Sequence, residues 1–350
     1  MDALQITRRK LIATALAGAA LSTGLFISSP AAVAGVKLKT SNKRGLANIK
    51  QVRLGSVALA CLTERRRQIS VGGGFRSMGG ASQATVQTNL SGLTDADFQA
   101  AADAAYTAVI AALCANGVEV LDNSALLASL QESEPVQANG AEYAFPEGNK
   151  QSSKAVMYGA SAFGGYVPLP EWTPTAPGLA GMGSMGLVMS ANRVATLFSQ
   201  RAAEDGVPIL GILIGVSPVR IEADFGSDWR VPDAFGNGGL TRTGALSTET
   251  GLSSHPLLTR LEVFPTSGKP AQVRTEEEIG IQGGVGSLTD TTDGVTQAAQ
   301  GIGNVLSVLG GSGRQSKTTR YTLEADVPSY AAGVAALSGD VTTALLGGFS

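Results

Sequence analysis

The apolar pattern of residues 93–130 predicts a helix, a short strand and a second, shorter helix. Apolar residues recur there at three- and four-residue spacing, as on the buried face of a helix. These residues are Phe98, Ala102, Ala105, Val109 and Leu113. Thr94 and Asp97 have the spacing of a capping box, and Asn116-Gly117 supplies a helix stop before an apolar strand at residues 118–121. A helix that leads into a strand is half of a β-α-β unit, so this segment should pack on a sheet.

The same order of elements recurs further along the chain. Residues 52–62 form the first apolar strand, and its unbroken apolar second half predicts a central position in a sheet. Residues 187–204 predict a helix, and residues 207–216 predict an apolar strand directly after it. We expect the strands at 52–62, 118–121 and 207–216 to be neighbours in one sheet.

The remaining segments add antiparallel strands and more helices. Alternating strands are predicted at residues 84–90, 220–225, 257–264, 272–281 and 321–327, and helices at residues 290–309 and 330–346. Residues 69–80 contain too much glycine for a regular element. The predicted fold class is therefore α/β (mixed): one mixed β-sheet with helices packed on it, and long glycine-rich loops and hairpins.

The N-terminus has the pattern of an export signal at residues 1–34. Arg8, Arg9 and Lys10 precede an uncharged apolar run at residues 11–27, and Ala32-Val33-Ala34 has the small residues of a cleavage site. Residues 7–12 also resemble the twin-arginine export motif. We expect a periplasmic or secreted protein, exported by the twin-arginine or the general secretory route. Uncleaved, the apolar run would instead be a membrane anchor.

The rest of the chain is predicted to be one domain. Residues 35–50 are polar and basic and predict a flexible lead, and residues 51–350 predict a single α/β domain. A Gly/Pro/aromatic-rich insertion is expected at about residues 132–185, where no periodicity is seen. Its aromatic side chains should pack either on their own domain or on a partner.

Composition and charge exclude nucleic acid as an expected partner. Glycine is the outlier, with 45 of 350 residues, against a usual frequency of about 7%. Net charge is −2, and it becomes −4 without residues 1–34, which hold three basic residues and one acidic residue. The only basic block after the N-terminus is Arg65-Arg66-Arg67, which is too small for a nucleic-acid surface but could contact an anionic envelope surface.

One glycine pattern suggests a cofactor. Gly181, Gly183 and Gly186 match G-x-G-x-x-G in front of a predicted helix, the arrangement that brings a dinucleotide pyrophosphate to a helix N-terminus. The residues before Gly181 are rich in proline and do not predict the buried strand that such a site requires. We therefore predict no cofactor, and keep dinucleotide binding as an alternative.

No residue pattern predicts catalysis or metal binding. His255, the only histidine, precedes a proline in a polar loop, where we expect it at the surface. One histidine and two distant cysteines have no zinc spacing. Two acidic groups fit solvated segments better than ligand sites. They are Asp224, Asp228 and Asp233 in one loop, and Glu276, Glu277 and Glu278 at a strand end.

The two cysteines, Cys61 and Cys114, lie in apolar surroundings. In an oxidising compartment they could form a disulfide. The alternative is two separately buried thiols that behave as small hydrophobic residues.

Several segments together carry a family resemblance. The strand VALACL at residues 57–62 leads to a helix that enters GVEVLDNSALLASL at residues 117–130, and a second helix enters GVPILGILIGV at residues 206–216. A strand–turn–strand segment with Thr-Ser-Gly-Lys follows at residues 261–281. This order resembles the periplasmic α/β domain of the curli-secretion lipoprotein (CsgG-like) family, which is similar to the TolB N-terminal domain.

The chain departs from that family in two respects. No cysteine lies near the cleavage point to accept the lipid of a lipoprotein. The curli channel builds its barrel from two amphipathic hairpins per subunit, and the candidates here, residues 63–90 and 226–263, lack the sustained alternation of membrane strands.

The resemblance implies an exported, non-enzymatic cell-envelope protein that acts through protein–protein interaction or assembly. Its partner would be another envelope protein or a second copy, with residues 132–185 as the contact surface. Membrane contact is left open. The alternatives are an exported dinucleotide-dependent oxidoreductase that uses Gly181–Gly186, and a secreted structural or filament subunit.

Overall fold

The computed structural model describes residues 35–71, 82–133, 136–146, 152–170, 180–225, 229–231, 239–241, 244–281, 283–293 and 315–349. The strands are β1 (Leu38–Ser41), β2 (Gln51–Val71), β3 (Ser82–Ser91), β4 (Glu119–Leu121), β5 (Ala141–Pro146), β6 (Ser152–Gly159), β7 (Ile209–Phe225), β8 (Trp229–Val231), β9 (Gly239–Thr241), β10 (Gly244–Ser254), β11 (Arg260–Phe264), β12 (Ala271–Thr275), β13 (Gly286–Asp290) and β14 (Gln315–Ala325). The helices are α1 (Asp95–Ala115), α2 (Ser124–Glu132), α3 (Ala180–Asp205) and α4 (Val327–Leu346).

The centre of the fold is β2, which pairs in parallel with β4 and with β7. Arg53 is opposite both Leu121 of β4 and Ile209 of β7, so these two strands flank β2. The predicted neighbourhood of residues 52–62, 118–121 and 207–216 is confirmed. The mixed sheet with helices on it confirms the predicted α/β class.

The segment at residues 132–185, where no periodicity was seen, contains regular structure in the part that the structure describes. β5 and β6 form an antiparallel hairpin, and β6 pairs with β2 from Ala58 to Glu64. The aromatic side chains of this region pack within the same domain: the rings of Tyr106 and Phe163 lie 5.6 Å apart, and Phe98 stacks on Tyr158 at 5.4 Å. Sequence periodicity missed these strands because they are short and interrupted by polar residues.

Helices cover both faces of the central sheet. Connections between parallel strands are right-handed in nearly all proteins, and this rule places α1, which leads to β4, and α3, which leads to β7, on opposite faces. α1 packs against α4, where the rings of Phe98 and Tyr330 meet edge to face at 6.2 Å. On the other face, Phe198 of α3 contacts Phe264 of β11, with ring centroids 5.3 Å apart.

One close helix–sheet contact depends on a glycine in β2. A Cβ atom on Gly55 would lie 2.5 Å from Cζ of Phe198 and 2.7 Å from Cγ2 of Ile209. The pairing register of β2 and β7 also shifts between Leu54 and Ser56. Only glycine therefore leaves room for the buried Phe198 ring at this position.

The start of α1 confirms the predicted capping box. The backbone N–H of Thr94 donates to Asp97 Oδ2 at 2.8 Å, and the Thr94 hydroxyl donates to the same oxygen at 2.6 Å. These bonds hold the pKa of Asp97 below its usual value. The next carboxylate, Asp95, accepts a hydrogen bond from the Tyr158 hydroxyl at 2.7 Å and so ties α1 to β6.

Three further predictions need correction. Residues 35–50 are ordered, because β1 pairs with β12 and the side chain of Leu46 is buried. β2 continues to Val71, beyond the predicted end of its strand, while residues 72–81 lie outside the described residues. The helix predicted at residues 290–309 cannot begin at Asp290, which ends β13; residues 294–309, like the export signal at 1–34, lie outside the described part of the chain.

Two described helices, Asp95–Ala115 and Val327–Phe349, are long and apolar enough to cross a membrane by length and composition alone. The first is α1, and the second is α4 together with the helical turn that follows it at Gly347–Phe349. Both pack on each other and on the sheet, as core helices do.

Candidate functional site

The most distinctive feature of the fold is a pair of central strands that continue beyond the residues at which they pair with each other. β2 and β7 pair with each other only up to Cys61 and Val216. From Glu64 to Val71, β2 pairs instead with β3, and from Val216 to Phe225, β7 pairs with β10. We call residues 64–71 with β3 the first extension, and residues 217–225 with β10 the second extension.

The first extension is widened by strands from the C-terminal part of the chain. β14 pairs in parallel with β3 from Ser82 to Ser91, and β13 pairs with β14. Thr85, Val86 and Thr88 of β3 are buried. β14 and β13 thus extend the sheet beyond the hairpin of β2 and β3.

Arginine side chains join the two extensions where backbone pairing between β2 and β7 has stopped. Arg65 of β2 is 5% exposed, and its Nη1 donates to the carbonyl oxygen of Val219 and to the Ser217 hydroxyl, each at 3.3 Å. Arg67 donates from Nη1 to the carbonyl oxygen of Ile221. These donors satisfy β7 carbonyl groups that face β2 without a partner strand.

The positive charge of Arg65 is balanced by Glu278. Arg65 Nη2 lies 2.7 Å from Glu278 Oε1, and Ser253 of β10 donates to Glu278 Oε2 at 3.2 Å. The cluster of Arg65, Ser217, Ser253 and Glu278 therefore links β2, β7, β10 and the segment after β12. We call it the Arg65 cluster.

The Arg65 cluster corrects two predictions. The block Arg65-Arg66-Arg67 does not present three free charges to an anionic envelope surface, because Arg65 is buried and Arg67 donates to β7. The acidic run at residues 276–278 is divided as well: Glu277 forms an exposed ion pair with Lys37 at 2.9 Å, whereas Glu278 belongs to the cluster. No sequence pattern indicates this pairing, because the two residues are 213 positions apart.

His255 is buried, so its predicted surface position is wrong. Its ring packs edge to face on Phe145 at 5.4 Å and its side chain is 3% exposed. Its backbone N–H donates to the carbonyl oxygen of Gly215, at the point where β7 leaves β11 and joins β10. A Cβ on Gly215 would lie 2.6 Å from Cβ of Leu258, so the segment that follows β10 packs directly on β7 at this glycine.

The glycine motif has a helical position in the structure. Gly181, Gly183 and Gly186 lie inside α3, which begins at Ala180. A dinucleotide site needs these glycines in the loop between a strand and the helix. The residues directly before α3, 171–179, lie outside the described residues.

The two cysteines are separate free thiols, and the structure does not join them in a disulfide. Cys114 is exposed in the last turn of α1. Cys61 is completely buried in β2, where burial raises the pKa of its thiol to about 12. Its neighbour Tyr330 is also buried, and burial raises the pKa of that hydroxyl.

The described residues hold no group of three or more histidine, cysteine, aspartate or glutamate side chains placed to bind a metal ion. The side chains of the acidic loop at Asp224, Asp228 and Asp233 lie outside the described set.

Comparison of the chain with protein-family profiles, with curated proteins and with solved structures finds no match.

Proposed function

We propose that this is an exported, non-enzymatic protein of the cell envelope, which assembles with copies of itself or with an envelope protein through its two extensions. The proposal keeps the class that the curli-secretion resemblance implies. We place the contact surface at the extensions and no longer at residues 132–185, because the described aromatic side chains of residues 132–185 pack inside the domain.

The observation that carries the proposal is the length of β2 and β7. Each strand continues well past the last residue of their mutual pairing, and each then forms a hairpin of its own. Core packing accounts for part of this length, since Val86, Val219 and Ile221 of the extensions are buried in the hydrophobic core. A partner that pairs with them would explain why they extend so far.

The second extension also presents an open edge. Between Gly244 and Thr250, β10 pairs with β7 on one side, and no other described strand pairs with it. Unpaired strand edges are templates for pairing with another chain. The same edge favours a second candidate, a filament subunit, since a head-to-tail contact that does not close produces an open fibre.

Light scattering on the chromatographed mature protein, residues 35–350, tests the proposal, read together with its absorbance spectrum. We expect a colourless particle of fixed mass, several times that of one chain. Mass that grows with concentration without limit would favour the filament. A monomer at every concentration would contradict self-association, and a coloured monomer would favour the oxidoreductase.

Two adjacent proline substitutions give a matched test of the β10 edge. In an antiparallel pair, neighbouring residues direct their N–H groups to opposite sides. Proline lacks the backbone N–H, so one of the two variants Ser247→Pro and Thr248→Pro removes an N–H that donates to β7. The other variant removes an N–H on the outer edge of β10. We expect the outer-edge variant to keep the higher melting temperature yet lose assembly. If it assembles like wild type, the β10 edge is not the contact.

A further inference from the structure

A cleft of about 1130 Å³ lies at the end of the sheet away from the extensions. Its walls are the segment before β2, the short connection from α3 to β7 and the turn between β11 and β12. The lining residues include 42–45, 47–51, 206–208 and 265–269. β2 starts at this cleft with Gln51 and ends in the first extension at Val71.

The cleft is positively charged. Lys43, Arg44, Lys50 and Lys269 line it, and no aspartate or glutamate is among the lining residues. All four cations are exposed, and none forms an ion pair with a described residue. The chain after residue 34 has a net charge of −4. Positive charge is therefore concentrated here on an acidic protein, which raises the local concentration of anions.

The backbone that carries these cations is fixed. Leu46 is 1% exposed and anchors the segment in the core. Asn42 has φ 51° and ψ 49°, the left-handed region, and its Nδ2 donates to the carbonyl oxygen of Pro270 at 2.8 Å. The carbonyl oxygen of Lys50 accepts from the backbone N–H of Glu119 at 2.8 Å. A ligand thus meets cations on a pre-ordered frame, which lowers the entropy cost of binding.

The segment also packs closely on β12. A Cβ on Gly45 would lie 3.2 Å from Cβ of Ala271 and 3.5 Å from Cγ of Pro265. The two cationic walls, residues 43–50 and the turn with Lys269, are therefore packed directly against each other.

We propose that this cleft binds a ligand that carries two or more phosphate groups. Arginine presents a planar fork that matches phosphate oxygens, and lysine supplies point charges around them. Thr266 and Ser267 add hydroxyl donors on the wall that carries Lys269. The cleft exceeds the roughly 300–1000 Å³ of typical small-molecule pockets. Four cations in a space of this size suit a ligand with several phosphates better than one phosphate ion.

The ligand could be soluble or could be a set of lipid headgroups, and two probes separate these sources. Calorimetric titration of the mature protein with sodium tripolyphosphate measures the soluble form. Co-sedimentation with phosphatidylglycerol vesicles, compared with phosphatidylcholine vesicles, measures the headgroup form. We expect binding to at least one phosphate probe, with weakening at high salt. Binding to tripolyphosphate alone assigns a soluble ligand, and binding to the anionic vesicles alone assigns headgroups. Failure of both probes would overturn the proposal.

Matched double variants separate the cleft from net charge. Arg44→Gln/Lys269→Gln removes one arginine and one lysine from the cleft, and Arg193→Gln/Lys317→Gln removes the same types from exposed positions on α3 and β14. We expect the cleft variant to bind at least about fivefold more weakly and the control to bind like wild type. Equal weakening of both, or none in the cleft variant, would overturn the proposal.

Discussion

Replacement of Arg65 by methionine should destabilise the protein much more than the loss of a surface charge does. The substitution leaves the carboxylate of Glu278 without its cation, and the carbonyl oxygen of Val219 keeps only the Ser217 hydroxyl as a side-chain donor. Removing one partner of a buried ion pair costs about 3–5 kcal/mol. Glu278 remains 21% exposed, so water can partly replace the lost contact. We therefore expect a loss of about 2–4 kcal/mol in unfolding free energy.

Urea unfolding of the mature protein, followed by circular dichroism, measures this loss. Arg65→Met/Glu278→Gln removes both charges and should be less destabilised than the sum of the single variants, with a coupling of at least about 1 kcal/mol. Lys37→Met is the control, because it breaks the exposed pair with Glu277 and should leave the unfolding midpoint unchanged. The reasoning fails if Arg65→Met unfolds like Lys37→Met, or if the two single effects simply add.

Three other predictions follow from local geometry. Gly55→Ala should lower the free energy of unfolding by about 1–3 kcal/mol, because the new methyl group overpacks against α3. Gly186→Ala, in open space on α3, should raise it by about 0.4–1 kcal/mol. Opposite signs of the two shifts in urea midpoint would confirm the contrast, and a neutral Gly55→Ala would contradict it. A thiol reagent at pH 8 should label Cys114 at once and Cys61 only after denaturation; a protein without reactive thiol before reduction would mean that the cysteines pair after all. Asp326 caps α4, and the pKa of its carboxyl lies below the usual 3.8. Its contribution to stability is therefore complete above about pH 4 and falls at lower pH. The difference in urea midpoint between wild type and Asp326→Ala should shrink below pH 4, and a constant difference would argue against the cap.

The parts of the fold that the sequence predicted are those fixed by local apolar patterns. Uninterrupted apolar runs at residues 52–62 and 207–216 marked the two central strands, and the spacing of Thr94 and Asp97 marked the start of α1. In these segments, burial and capping depend on residues close together in sequence. A short window of sequence therefore contains the information that determines these elements.

The sequence marked residues 63–90 as a candidate hairpin, but the contacts of the candidate site could not be predicted in this way. Residues 64–71 become a strand because β3 pairs with them. Arg65 can be buried because Glu278 balances its charge and the carbonyl oxygen of Val219 accepts one of its hydrogen bonds. His255 is buried because the chain turns past Gly215 and brings its ring onto Phe145. Each of these outcomes depends on a contact between distant segments, which a window of sequence does not contain.

Hydrogen exchange, compared by mass spectrometry between the assembled and the dissociated protein (residues 35–350), tests the proposed assembly through the two extensions. We expect assembly to slow exchange in peptides covering residues 64–71, 82–91, 217–225 and 244–254, while the central strands exchange equally slowly in both states. Protection that appears only outside these peptides would contradict it.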